Sequence, residues 1–117
     1  MSDIQRIDSN ERLSRIVIHG GVAHVAGVTA SDRSGDIGAQ TREVLQKIDG
    51  YLAQAGTDKS RLLNVQIWLK DIDRDFAGMN VVWGEWADKA NMPTRATCEA
   101  KLAAPELLVE IIVSAAV

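Results

Sequence analysis

Arg95 and Glu110, fifteen residues apart near the C-terminus, are the two side chains with the clearest chemical potential. Each falls in a stretch of strand-like alternation, Thr94 to Lys101 and Leu107 to Ala116. In the second stretch Leu107, Val109, Ile111 and Val113 share one face, while Leu108, Glu110, Ile112 and Ser114 share the other. In the first, Arg95, Thr97, Glu99 and Lys101 alternate with Ala96, Cys98, Ala100 and Leu102. The small apolar set, Cys98 included, is expected to pack inward, which puts Arg95 and Thr97 on the same outer face as Glu110. A guanidinium there grips a carboxylate through two parallel hydrogen bonds. Glu110, between two large aliphatics, would be partly desolvated, a setting in which a carboxyl group serves as a general acid or base. A structural ion pair of Arg95 with Glu110 or Glu99 accounts for the same residues, because buried charges are usually paired.

Other candidates carry less. Cys98 reads as a small core hydrophobe rather than a nucleophile, since it is expected to face inward. His19 and His24 flank a turn and read as surface residues. Trp83 and Trp86 read as core and interface packing. Asn80, next to Met79 in a helical stripe, could cap the rim of a cleft or simply be exposed.

The elements that must position these residues follow from hydrophobic period. Ile16–His19 and Val22–Val25 flank Gly20-Gly21, a two-residue hairpin turn, and Ile4 and Ile7 allow a short strand before it. Gly27 to Gly38 reads as a loop. From Asp36 to Ala55 the period is helical, with Gly56 as the stop. Leu63, Val65, Ile67 and Leu69 alternate with polar or aromatic residues as a strand. A second helix is expected to start near Asp73–Asp75, with acids complementing its dipole, and to carry Phe76, Met79, Trp83, Ala87 and Ala90 until Asn91 and Pro93 end it. Two strands complete the chain.

These elements make one domain, residues 1–117, of the α+β class: a two-layer sandwich in which two helices cover one face of a mixed sheet of five or six strands. The uncovered face is expected to be apolar around Leu108 and Ile112, where a solvated sheet would be polar, so a second subunit is expected to cover it. A net charge of −3 with acids and bases interleaved gives no electrostatic footprint for nucleic acid or an anionic membrane. No stretch reaches the roughly 20 apolar residues of a spanning helix, and the opening MSDIQRIDSN has no apolar core of a secretory signal. One cysteine and two distant histidines make no disulfide and no zinc spacing. The expectation is a cytoplasmic protein without a structural metal.

In several stretches the chain resembles the reactive intermediate deaminase family (Rid, or YjgF-type), and its RutC-like and YoaB-like small members in particular. These are VAGVTA around Gly27, QAG at Gln54–Gly56, NVQIWLKDIDRDFAGMNVVWGEW from Asn64 to Trp86, and PTRATCEAKLAAPELLVEIIVSAAV at the C-terminus. The last is the most specific, with Pro-x-Arg ending at Arg95 and the glutamate of Val-Glu-Ile at Glu110. The resemblance implies a chorismate-mutase-like homotrimer with clefts between subunits. It implies a cofactor-independent hydrolase that converts enamino or imino acids to 2-oxo acids and ammonia. Arg95 would hold the substrate carboxylate, with Thr97, Gly27 and Asn80 as further substrate-binding positions, and Glu110 would activate the attacking water. Departures from the family pattern are Leu13-Ser14 where good deaminases carry a tyrosine, Ala26 where a serine is expected, and Thr97 where a cysteine is frequent. They leave open the alternative of a non-enzymatic trimer that binds or senses a 2-oxo acid. A ribonuclease or translation-inhibitor role, attached to some members, is opposed by the acidic charge and the scarcity of basic clusters.

Overall fold

The computed structural model describes residues 3–117. Its elements are β1 (Gln5–Ser9), β2 (Ser14–His19), β3 (Val22–Val28), α1 (Ile37–Gln54), β4 (Leu62–Leu69), α2 (Ile72–Trp86), β5 (Thr94–Glu99) and β6 (Val109–Ala116), with a short 3-10 turn at Lys59–Arg61. The strands form one mixed sheet in the order β1-β2-β3-β6-β4-β5. All neighbours are antiparallel except β4 and β5, which the crossover through α2 makes parallel. The last strand is thus inserted between β3 and β4, and β5 is left at an edge.

Local chemistry sets these boundaries. Gly20 and Gly21 have φ of 60° and 79°, the conformation a tight two-residue hairpin requires, and the turn fixes His19 opposite Val22. Asp36 caps α1 by accepting the Ala39 N–H at 2.9 Å, and Asp71 caps α2 by accepting the Arg74 N–H at 3.1 Å. α2 stops at Trp86, short of the expected Ala90. Ala87 turns extended, and the Asp88 carboxylate accepts the Ala90 N–H, so a side-chain-stabilised turn takes over from the helix. β5 and β6 end at Glu99 and begin at Val109, inside the expected Lys101 and Leu107. The pairing nonetheless continues, through Ala100 N–H to the Leu69 carbonyl and Lys70 N–H to the Leu108 carbonyl.

The core lies between the helices and one face of the sheet. Ile16, Val25, Val65, Ile67, Val109, Ile111 and Val113 from the strands meet Val44, Leu45, Ile48 and Leu52 of α1 and Met79, Val82 and Trp83 of α2. Gln40 is the buried polar residue that fastens the end of the 100–108 connection. Its amide donates to the carbonyls of Gly35 (3.1 Å) and Glu106 (3.0 Å) and accepts the Leu108 N–H (2.9 Å). Glu43 holds the loop after β3 by accepting the N–H groups of Ser31 (2.6 Å) and Asp32 (3.0 Å), and these bonds keep its carboxyl below the ordinary glutamate range. No helix among the described residues is long and apolar enough to cross a membrane.

Candidate functional site

Glu110 stands on the sheet face away from the helices, opposite Trp68 of β4, with Leu108, Ile112 and Ser114 beside it. All four are half-buried, as alternation requires. The neighbouring strand is bulged. Val25 pairs with Val113 but Val28 pairs with Ile111, so Ala26 and Gly27 together face the space of one residue, Ile112. That bulge brings Gly27 under the Glu110 side chain. A Cβ on Gly27 would lie 2.1 Å from Oε2 of Glu110, so glycine is needed here for space rather than for an unusual φ. On the other side of the peptide, Arg15 donates from Nη2 to the Gly27 carbonyl at 3.1 Å while its guanidinium lies 5.0 Å from the Tyr51 ring centre. Sequence reasoning missed Arg15, because only the bulge brings β2 and Gly27 together in this way. Among the described residues the Glu110 side chain has no hydrogen-bond or ion-pair partner.

Arg95 is elsewhere, and this corrects the expected face of β5. The parallel register sets Arg95 beside Val65, Thr97 beside Ile67 and Glu99 beside Leu69, all three partners being fully buried on the helix side. Arg95, Thr97 and Glu99 therefore face α2, while Ala96 and Cys98 face outward and Cys98 is exposed. The inward set is polar because β5 is an edge strand covered only by α2, so long polar side chains can lie along the helix and still reach solvent. Nη1 of Arg95 donates to Oδ1 of Asn80 at 2.8 Å, and its guanidinium lies 5.6 Å from the Trp83 ring centre and 6.0 Å from that of Phe76. Desolvation pulls the Arg95 pKa below its ordinary value, yet an arginine stays charged in proteins. The Thr97 hydroxyl is buried without a hydrogen-bond partner, and Glu99 accepts the Ile72 N–H at 3.1 Å.

The two proposed ion pairs do not form within the chain. Arg95 and Glu110 lie on opposite faces of one sheet, and Glu99 is engaged by the start of α2; among the described residues Arg95 has no carboxylate at ion-pair distance. The fold thus builds two candidate half-sites. One holds Arg95, Asn80 and Thr97, a cationic fork with a buried hydroxyl beside it. The other holds Glu110 and Gly27, a carboxylate on a closely fitted backbone.

The remaining candidates stay outside both. His19 is exposed, with Nδ1 2.9 Å from an Asp3 carboxylate oxygen, and His24 is exposed. Trp83 is in the core, and Trp86 donates from its indole to Asp49 at 3.0 Å. A recess of about 360 Å³ between α1 and α2, lined by Arg42, Asp49, Glu85 and Trp86 among others, includes no residue of either half-site.

Comparison with known proteins gives a consistent picture. The family model described as Endoribonuclease L-PSP matches residues 3–117. A RutC family protein of Haemophilus ducreyi is 44% identical over 114 residues, covering 97% of both chains. The RutC family protein YoaB of Escherichia coli (strain K12) is 39% identical, covering 97% of this chain and 98% of its own. Among solved structures, NMB1025 of Neisseria meningitidis, a member of the YjgF protein family, superposes with a TM-score of 0.93 at 37% identity, covering 97% of this chain and 94% of that one.

Proposed function

This chain belongs to the Endoribonuclease L-PSP family, with RutC and YjgF proteins among its relatives, and on that footing we propose that it hydrolyses reactive 2-imino and 2-enamino carboxylic acids to 2-oxo acids and ammonia. The observation that carries this reading is the Arg95 guanidinium: charged, half-buried, fixed through one nitrogen to Asn80 and, among the described residues, lacking a carboxylate of its own. Such a group leaves donors free for a planar anion, and a substrate carboxylate fits that geometry.

Glu110 supplies the second part. Its carboxylate is held over Gly27 in a partly apolar surface, a position suited to receiving a proton from water. Water adds to C2 of the iminium while Glu110 takes its proton. The same proton passes to the nitrogen; as the C–N bond of the carbinolamine breaks and the C=O forms, Glu110 takes the remaining hydroxyl proton and passes it to the departing ammonia, so the iminium and water yield the 2-oxo acid and ammonium. An enamine first takes a proton at C3 to give the imine. No redox change and no co-reactant beyond water enters this balance.

Because Arg95 and Glu110 lie on opposite faces of one chain's sheet, one small molecule can meet both only between copies. We place the site at a contact where the β5 edge of one copy meets the outer sheet face of another, in a cytoplasmic homotrimer. The aliphatics Leu108 and Ile112 flanking Glu110 support a covered face. A chain that only bound or sensed 2-oxo acids would need Arg95 but not the close seat of Glu110 on Gly27. The net charge of −3 gives no support to RNA cleavage.

The test generates 2-iminopropanoate with an amino-acid oxidase, traps it with semicarbazide, and measures how far the protein lowers the trapped fraction. Hydrolysis by the parent, with loss of pyruvate binding in Arg95→Ala and retained binding but roughly 100-fold slower hydrolysis in Glu110→Gln, is expected. Pyruvate binding by the parent without imine hydrolysis would leave only the binding protein.

A further inference from the structure

We infer that Phe76 and Ile72 form the wall on which the substrate's side chain rests, so that the site selects imino acids with uncharged apolar side chains and rejects those ending in a second carboxylate. The inference rests on the carboxylate-binding role proposed for Arg95, and adds what lies beside it.

Phe76 breaks the pattern of its own helix. Along the inward stripe of α2, Met79 and Trp83 are 0% and 5% exposed, whereas Phe76 is 42% exposed although its ring centre is 6.0 Å from the Arg95 guanidinium. An aromatic left open beside a desolvated cation presents apolar surface to whatever that cation holds. The same ring borders an open recess of about 400 Å³ whose other lining residues are Ile72 and Asp73. Because α2 runs back over β5, Ile72 stands near Glu99 and Asn80 near Arg95, as their hydrogen bonds record. Phe76 lies between these two positions on the helix. Thr97, whose buried hydroxyl has no partner, lies between Arg95 and Glu99 on the strand beneath.

A carboxylate on Arg95 sets the direction of the rest of the molecule. Carbon 3 and its substituents then have Phe76 and Ile72 as the apolar surface next to the grip. Two carboxylates stand at the far end of that surface, the exposed Asp73 in the recess and Glu99 on the strand. Neither is neutralised by an ion pair among the described residues. A side chain that brings its own negative charge meets like charge there, and an apolar one does not.

The experiment measures calorimetric affinities of the intact protein for pyruvate, 2-oxopentanoate, 4-methyl-2-oxopentanoate and 2-oxoglutarate. The parent should bind 4-methyl-2-oxopentanoate about tenfold more tightly than pyruvate, and 2-oxopentanoate about tenfold more tightly than 2-oxoglutarate, which has the same chain length. Phe76→Ala should remove the first preference by weakening 4-methyl-2-oxopentanoate about tenfold more than pyruvate, Phe76→Leu should keep most of it, and Asp73→Asn should narrow the second. Equal affinities for all four acids in the parent, or an equal loss for pyruvate and 4-methyl-2-oxopentanoate in a folded Phe76→Ala, would overturn the inference. Arg95→Ala separates the two levels: if it still binds every acid, the carboxylate grip itself fails. If it binds none while Phe76→Ala shows no selective loss, only the side-chain wall fails.

Discussion

Replacing Gly27 by alanine puts a methyl group where the Glu110 carboxylate now sits. The added Cβ would lie 2.1 Å from Oε2, 3.0 Å from Cδ and 3.3 Å from Cγ of Glu110. An ordinary contact begins near 3.4 Å, so the carboxylate oxygen must retreat by about 1.3 Å. The Gly27 backbone has no positive φ, and the displaced group is the end of a flexible side chain, so the fold should absorb the change within about 1 kcal/mol. A reacting group misplaced by about 1 Å costs on the order of 100-fold in rate. Gly27→Ala should therefore lower the turnover of 2-iminopropanoate by about 100-fold, read by semicarbazide competition, while pyruvate affinity stays within about twofold because the carboxylate grip proposed for Arg95 is on a separate half-site. A folded Gly27→Ala protein that turns over imine at the parent rate would refute the placement of Glu110 at the water.

Three further outcomes follow from the scaffold. Gln40→Ala removes three part-buried hydrogen bonds to backbone groups and should cost about 3 kcal/mol in urea unfolding, with a loss below about 1 kcal/mol contradicting the role given to that amide. Glu43 has its folded pKa below the ordinary 4.5 because it accepts the Ser31 and Asp32 N–H groups, so its contribution is present above that value and is lost as pH falls through the folded pKa. Thermal unfolding of Glu43→Gln should show a flatter acid limb than the parent, and an unchanged limb would exclude Glu43 from it. Cys98→Ala, at an exposed outer-face position, should change stability by less than about 0.5 kcal/mol and leave turnover intact; a core-sized loss would restore the inward register.

The hairpin, the two helices, five of the six strands and the inner face of β6 were legible because period, glycine turns and aspartate caps all point the same way there, while β1 was left open between five strands and six. The face of β5 was not. Ala96, Cys98 and Ala100 are small and look like core, while Arg95, Thr97 and Glu99 look like surface, and in a central strand that reading would hold. β5 is an edge strand in parallel register with β4, and that register ties Arg95 to Val65 regardless of polarity. Topology outside the strand decided its orientation. Alternation singled out Arg95, Thr97 and Glu110 and the helical stripe Asn80, while the family resemblance gave Arg95 and Glu110 their roles; the fold brings Arg95 to Asn80 beside Thr97, and the bulge in β3 joins Gly27 to Glu110. Neither the bulge nor the Arg15 contact it creates has a signal in alternation alone.

The central claim is that Arg95 of one copy and Glu110 of another act on one substrate. Neither Arg95→Ala nor Glu110→Gln alone leaves an intact site. Co-expressed with different tags and purified as mixed assemblies, the two variants regenerate a site wherever an Arg95 from one chain meets a Glu110 from the other. In a mixed homotrimer, whether two-to-one or one-to-two, one of the three sites, about a third, joins an intact Arg95 to an intact Glu110. The measurement is imine turnover by the mixed assemblies in the semicarbazide assay. Recovery to about a third of the parent rate is expected from two nearly inactive proteins. Mixed assemblies as inactive as their separate components would contradict it.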